Sequence, residues 1–296
     1  MSGFGQFTDI CENAPLPMCA SLGPALASTG QVGIQADCYA RSIEVANTII
    51  FQGAASILHI VALIMTIIMV LHIRSKFTAV GRHEILTFFY LYMLLTFFSL
   101  VVDAGVVPPG SGPYPYFVAV QSGLSSAAVT ALFINGFVGF QLYEDGTPVS
   151  LWMLRVGSAV AFAVSLLVSL GTFKSAVGMS PTRTTGLFVV LYLLNAIQLF
   201  VYLAMQIVLV IRTLHDRWPL GDIAFGTLFL VIGQVVLYGF SATICEAVSH
   251  YFDGLLELLP EEERRATVYG GDDPYGRSSS YDLPYSPNAV RYSTKY

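Results

Sequence analysis

The stretch from Leu187 to Ile211, LFVVLYLLNAIQLFVYLAMQIVLVI, contains no formal charge. Wound as a helix at about 1.5 Å per residue, it is long enough to cross the roughly 30 Å hydrocarbon core of a bilayer. Five more stretches meet that requirement: about Thr48 to Leu71, Ile85 to Val102, Phe117 to Tyr143, Val149 to Leu170 and Ile223 to Ile244. In hydrocarbon each backbone N–H and C=O must find a partner within the protein, so stretches of this kind are helices. The fold class is therefore all-α, a polytopic membrane helix bundle with six clear spans. Composition agrees. Hydrophobic residues make up 55% and charged residues 11%, against about 25% charged in a soluble domain. So few charges cannot clothe a water-soluble surface.

A short seventh span is a candidate in TICEAVSHYFDGLLELL, Thr243 to Leu259. Glu246, His250, Asp253 and Glu257 recur there at spacings of four, three and four, which places all four on one helix face. One reading is an amphipathic helix lying on the membrane surface. The other is a span whose polar face turns into the bundle, where intramembrane ionisable groups usually sit. Beyond it, residues 260–296 are rich in Pro, Gly, Ser, Asp and Tyr, cannot bury enough apolar area to offset their ordering entropy, and are expected to be disordered. Short connectors separate the spans. VVPPGSGPYPY, Val106 to Tyr116, reads as a rigid turn with interfacial tyrosines.

Orientation follows from the basic residues. Arg74, Lys76 and Arg82 follow the first span, whereas the preceding tail has Arg41 against Asp9, Glu12, Asp37 and Glu44. The asymmetry places the N-terminus in the lumen or outside. Lys174 and Arg183, in a connector that the same count makes lumenal, fit less well. Six spans would leave Arg264 and Arg265 lumenal; seven would leave them cytosolic, as the rule prefers. The expected organisation is a lumenal N-terminal segment at 1–46 with three cysteines, a bundle at 47–259 and the tail at 260–296. The start, MSGFGQFTDI, has neither the basic nor the apolar region of a secretory signal. Cys11, Cys19 and Cys38 lie in that N-terminal segment and Cys245 near the last apolar one. In an oxidising lumen one disulfide among the first three would leave an odd thiol; three reduced small residues are the other reading.

Groups for catalysis are sparse. His59 stands alone in the first span and reads as a neutral imidazole bonded to a neighbouring helix. His59, His72, His83, His215 and His250 form no HxxxH or HExxH pair. Asp103 and Arg155 could form an ion pair. No phosphate loop or GxSxG nucleophile occurs, and all three lysines lie outside the spans. The expectation is no catalytic, metal or cofactor-binding residue and no cofactor. The formal net charge of −5, with 14 scattered Lys and Arg, argues against nucleic acid.

The spans carry helix-packing chemistry instead. Ser122 and Ser126, Gly123 and Ala127, Gly157 and Ala161, and Ala159 and Ala163 are small residues four apart, the spacing that lets helix backbones approach closely. Gln121, Asn135, Asn195, Gln198, Gln206 and Gln234 can bond between helices. Such features hold a bundle together, or recognise another membrane protein where they face outward.

Four segments, FGQFTDICENAPLPMC (Phe4 to Cys19), YARSIEVANTIIFQ (Tyr39 to Gln52), WPLGDIAFG (Trp218 to Gly226) and GQVVLYGFSATICEAVSHYFDG (Gly233 to Gly254), resemble the fungal chitin synthase export chaperones. The resemblance extends to about Leu259. It implies a multi-pass protein of the endoplasmic reticulum membrane, not an enzyme, with about seven spans and a cytosolic C-terminus. Its client would be a polytopic chitin synthase, kept from aggregating and exported toward the Golgi and cell surface for chitin and cell-wall synthesis. Membrane lipid and the coat proteins of export are the further partners. A seven-helix receptor or a small transporter is the alternative that span count allows, although no convincing midplane charges or broken helices support transport.

Overall fold

The computed structural model describes residues 5–24, 32–34, 36, 43–45, 48–50, 52–76, 81–138, 140, 146–176, 178–213, 218–240 and 243. After a short helix α1 (Thr8–Asn13), six helices are long and apolar enough to cross a membrane. They are α2 (Gly53–Ser75), α3 (Arg82–Asp103), α4 (Tyr114–Val138), α5 (Pro148–Phe173), α6 (Thr185–Arg212) and α7 (Trp218–Phe240). The protein is a multi-pass helical membrane protein. Glu246, His250, Asp253 and Glu257, the seventh-span candidate and the tail lie outside the described residues, as do Cys38 and Cys245.

Three boundaries differ by five residues from those read off hydropathy, and the others by fewer. Thr48–Ile50 is not helical but pairs antiparallel with Ile43–Val45. Its β-branched residues are apolar enough to extend a hydropathy window yet suit a strand. The helix starts only after Gln52, which takes a left-handed conformation with φ 49°. At the other boundaries, α4 ends at Val138 rather than Tyr143 and α7 begins at Trp218 rather than Ile223. Pro148 opens α5 at a position where its missing N–H costs nothing, behind a Thr147 cap whose hydroxyl accepts from the Ser150 N–H. Within α6, Val189–Leu194 is wound as a π turn, a geometry that strands a backbone carbonyl. The Asn195 side chain donates to Leu191 O at 2.9 Å.

Packing centres on α4, which lies against α3, α5 and α6, while α2 packs on α3 and α7 on α6. Successive spans alternate direction, so the starts of α2, α4 and α6 share one membrane face with the ends of α3 and α5. The N-terminal segment covers that face. Phe7 is buried edge-on against Phe188 and Tyr192, with ring centroids 6.0 and 5.4 Å away. Cys11 and Cys19 are joined by a disulfide with Cα atoms 5.7 Å apart. Hydrogen bonds tie this cap to the bundle, among them Tyr114 Oη to Pro17 O at 2.8 Å, Thr184 Oγ1 to Gly5 O at 2.8 Å, and Gly23 N to Pro181 O at 2.9 Å. Phe7, Cys11, Cys19 and Tyr114 form a hydrophobic core with Leu22, Val102, Val118, Phe173 and Leu187, and Phe188 and Tyr192 pack against it. Tyr114 is thus a buried strut under the cap rather than an interfacial tyrosine; Tyr116 is half exposed.

Candidate functional site

The interior of the bundle is built from small and hydroxyl-bearing residues. On α4, Ser122, Gly123, Ser126, Ala127, Thr130 and Ala131 are buried. Facing them on α5 is a stripe of buried Ser150, Leu154, Ser158, Ser165, Ser169 and Thr172. Its spacings of four, four, seven, four and three keep it on one helix face. The absence of bulk sets the approach. A Cβ on Gly123 would lie 3.0 Å from the Phe162 ring and 3.2 Å from its carbonyl oxygen, and one on Gly157 would lie 2.6 Å from Ile134 Cδ1. Ala161 is half-buried, whereas Ala159 and Ala163 face outward.

A hydroxyl inside a membrane bundle needs a partner, because lipid offers none. Ser122, Ser158 and Thr172 donate to carbonyls one turn back, at 2.9, 2.7 and 2.8 Å. The amides bridge helices. Gln121 Nε2 donates to Ser99 Oγ at 2.9 Å, linking α4 to α3; Asn195 Nδ2 donates to Ser126 Oγ at 3.1 Å and Thr130 Oγ1 to Gln198 Oε1 at 3.0 Å, linking α4 to α6. At about 0.6 kcal/mol each, three such bonds contribute about 2 kcal/mol. The Asn135 amide is enclosed without a hydrogen-bond partner among the described residues. Gln234 is exposed on α7.

Ionisable side chains are placed in ways that apolar periodicity does not reveal. Glu84, 1% exposed in the first turn of α3, accepts from the Gly146 N–H at 2.8 Å and from Ser150 Oγ at 3.0 Å. It thereby fastens α3 to the start of α5, where the positive end of the helix dipole favours a carboxylate. His59 lies in the second turn of α2, with Nε2 2.8 Å from Asp103 Oδ2. The Asp103–Arg155 ion pair is therefore corrected. Asp103 ends α3 at the capped face, Arg155 lies in the second turn of α5 at the opposite face, and about 30 Å of hydrocarbon separates such ends. One His–Asp contact supplies neither nucleophile nor substrate cleft. Among the described residues no group of three or more His, Cys, Asp or Glu could hold a metal ion.

The outward surface is the opposite of the interior. On α7, Phe225, Leu228, Phe229, Val231, Ile232 and Val235 are exposed, and no residue of its apolar stretch is buried. On α2, Leu58, Val61, Ile64, Met65, Ile68 and Leu71 are exposed likewise. Among the described residues nothing covers these surfaces, which leaves them to lipid, to a helix of another protein or to a part of this chain outside the described residues.

Fold and surface thus define a multi-pass membrane protein whose exposed chemistry is that of helix contact. Comparison with known proteins places it more closely. Residues 3–258 match the family model of the chitin synthase export chaperone, and the chain belongs to that family. It is 65% identical to a chitin synthase export chaperone of Fusarium oxysporum f. sp. lycopersici over the full length of both chains. Identity to that of Neurospora crassa is 69% over 91% of this chain and 87% of the relative. For the protein of Aspergillus fumigatus it is 59% over 90% and 92%. No solved structure matches the chain. The receptor and transporter alternatives find no support among these relatives.

Proposed function

We propose that this protein is a membrane chaperone that binds a chitin synthase in the endoplasmic reticulum, prevents its aggregation and promotes its export to the Golgi and cell surface. It acts without catalysing a reaction. The observation that carries this reading is the uncovered apolar surface of α2 and α7 on a chain whose relatives are named for chitin synthase export. A synthase with many spans presents marginal helices before it is assembled, and a partner that covers them by stoichiometric binding lowers the aggregating population by mass action. No nucleotide is required for that.

The orientation we infer has the N-terminal cap in the lumen and the C-terminus in the cytosol after a seventh span. Arg74, Lys76, Arg82, Arg155 and Arg212 gather at the face opposite the cap, against Lys174 and Arg183 beside it. Lys174 has a local role as well, its Nζ 5.0 Å from the Tyr116 ring centroid. A disulfide in the cap suits an oxidising compartment. Coat proteins of export would read a cytosolic signal, for which the Glu261–Glu263 stretch and the Tyr-rich tail are the candidates; both lie outside the described residues.

Deleting the gene should trap the synthase in the endoplasmic reticulum, and purification in mild detergent should recover the two proteins together. Normal delivery of the synthase without this protein would overturn the reading, as would solute transport or turnover by the purified chain. Protease protection of a C-terminal tag tests the orientation: a cytosolic tag is expected, and a lumenal one means six spans.

A further inference from the structure

Val236–Phe240, at the end of α7, is wound as a π turn, as is Val189–Leu194 of α6. The two turns meet at the capped face. There Tyr238 Oη donates to Tyr192 Oη at 3.0 Å, and the two rings lie at 63° with centroids 6.1 Å apart. We propose that the π turn of α7 is a rotary hinge for the client-facing helix, set from the cap through Phe7, Tyr192 and Tyr238. The inference rests on the reading of α7 as a client surface and adds its regulation.

π winding is rare and occurs mostly as single turns at functional sites, so the contacts that impose it identify what controls it. Tyr238 is joined to Tyr192, and α1 lies against the turn itself. Tyr192 meets Phe7 edge-on at 5.4 Å and stacks on Phe188 at 5.5 Å. Phe7 is 1% exposed and directly precedes α1. A continuous chain of rings therefore runs from the cap to the end of α7. The two π turns are held differently. That of α6 is fastened within its own helix by the Asn195 bond to Leu191 O, which makes α6 the fixed side of the hinge; that of α7 is held through Tyr238 by a neighbouring helix.

A π turn takes up one residue more than the α turn it replaces. With Tyr238 fixed, rewinding it to α turns the preceding part of α7 by about 100° and moves it about 1.5 Å along its axis. Each position on the outer face is then taken by the next residue in the chain, so that Gly226 replaces Phe225 and Gly233 replaces Ile232. All four are exposed, and a Cβ on either glycine would meet nothing within 4 Å. One winding presents a ring and a branched side chain to a client helix. The other presents two glycines on one face, where a helix backbone can approach closely. The hinge has two discrete settings with different contact chemistry, and a signal that favours one of them shifts the population. Gly239, inside the turn, lowers the preference for regular α winding there.

The test uses the full-length protein in detergent without client, with backbone hydrogen–deuterium exchange of α7 read by mass spectrometry. Tyr238→Phe, which keeps the ring and removes the hydroxyl, and Phe7→Leu, which acts from the cap, should each raise exchange at the end of α7 about tenfold. Phe98→Leu, which removes a ring contact between α3 and α4, should leave α7 unchanged. Tyr238→Phe and Phe7→Leu together should add little to either alone, because they break one chain of contacts. Deleting Val236 gives α winding with the preceding residues kept in place, and should make α7 insensitive to Phe7→Leu. Unchanged exchange in both Tyr238→Phe and Phe7→Leu would overturn the proposal, as would fully additive effects, which mean two independent contacts. A response to Phe7→Leu that survives the deletion of Val236 would overturn the hinge as well. Recovery of the synthase is read separately. If α7 responds as expected and recovery is the same for every variant, the hinge stands and the client surface is not on α7.

Discussion

Helices α4 and α7 are both apolar enough to span a bilayer, yet 56% of the one is buried inside the bundle and none of the other. Their residues differ in the direction opposite to that of a soluble protein. α4 carries Ser122, Gly123, Ser126, Ala127, Thr130 and Ala131 into the interior; α7 turns Phe225, Phe229 and Ile232 outward. In water the large apolar side chains would be driven inside. In lipid that driving force is absent, because acyl chains solvate them equally well. What remains is close backbone approach and hydrogen bonding, and both favour small or polar residues. Size and polarity therefore report the interior of this protein, and bulk reports its outer surface.

The largest effect should come from adding bulk on the inner side of that comparison. Gly123→Leu drives a side chain into the Phe162 ring and carbonyl and should destabilise by about 3 kcal/mol, at the upper end of overpacking costs. Thermal unfolding in detergent reads it. The same substitution at Gly226 of α7, where a Cβ meets nothing within 4 Å, should be neutral or slightly stabilising, since leucine has a higher helix propensity than glycine. Equal losses at the two positions would break the comparison.

Second in size is the disulfide over the inner helices. Opening the loop between Cys11 and Cys19, eight residues apart, with Cys11→Ser and Cys19→Ser together should cost about 2 kcal/mol. Because the cap rests on α4, α5 and α6, limited proteolysis should cut first within residues 5–24. Initial cleavage in the connector between α6 and α7 instead would mean that the cap does not depend on the bond.

Much of this architecture is legible in the sequence, for reasons that also explain the errors. Spans are legible because hydrocarbon thickness imposes a length on them. Their ends are not, because Thr48–Ile50 is as apolar as the helix it precedes and only pairing with Ile43–Val45 makes it a strand. The parity of the spans was sufficient to separate Asp103 from Arg155, and to bring Arg155 to the face that holds Arg74 and Arg82. The α5 stripe Ser158, Ser165, Ser169 and Thr172 has a helical spacing that the sequence displays, with Ser165 and Ser169 themselves small residues four apart, although the pairs singled out on this helix are Gly157 with Ala161 and Ala159 with Ala163. The folding of the cap was not legible: Phe7 and Leu22 are single apolar residues in a polar stretch, and their burial depends on rings and helix ends far along the chain.

A smaller effect should attend the amides that bridge helices. Gln121→Leu and Gln198→Leu each remove one interhelical bond from α4 and should cost about 0.6 kcal/mol. Gln234→Leu on α7, exposed, should cost nothing. These sites are far enough apart for their effects to add. A double variant at Gln121 and Gln198 that loses much more than about 1.2 kcal/mol would show the amides acting as one network, which additivity of single bonds excludes.

The smallest effect on stability should be the largest on function. Phe225→Ala with Phe229→Ala removes two exposed rings from α7, touches no part of the core, and should move the unfolding temperature little, since surface changes remain within about 0.5 kcal/mol. Co-purification of the chitin synthase should nevertheless decline, because these rings supply apolar contact that a client helix can meet. The comparison between inner and outer helices is what makes this informative. A loss of stability equal to that of Gly123→Leu would mean that α7 is an inner helix covered by a further part of the chain. Unchanged stability with unchanged client recovery would mean that lipid alone covers α7, and the client surface would then have to be sought on α2.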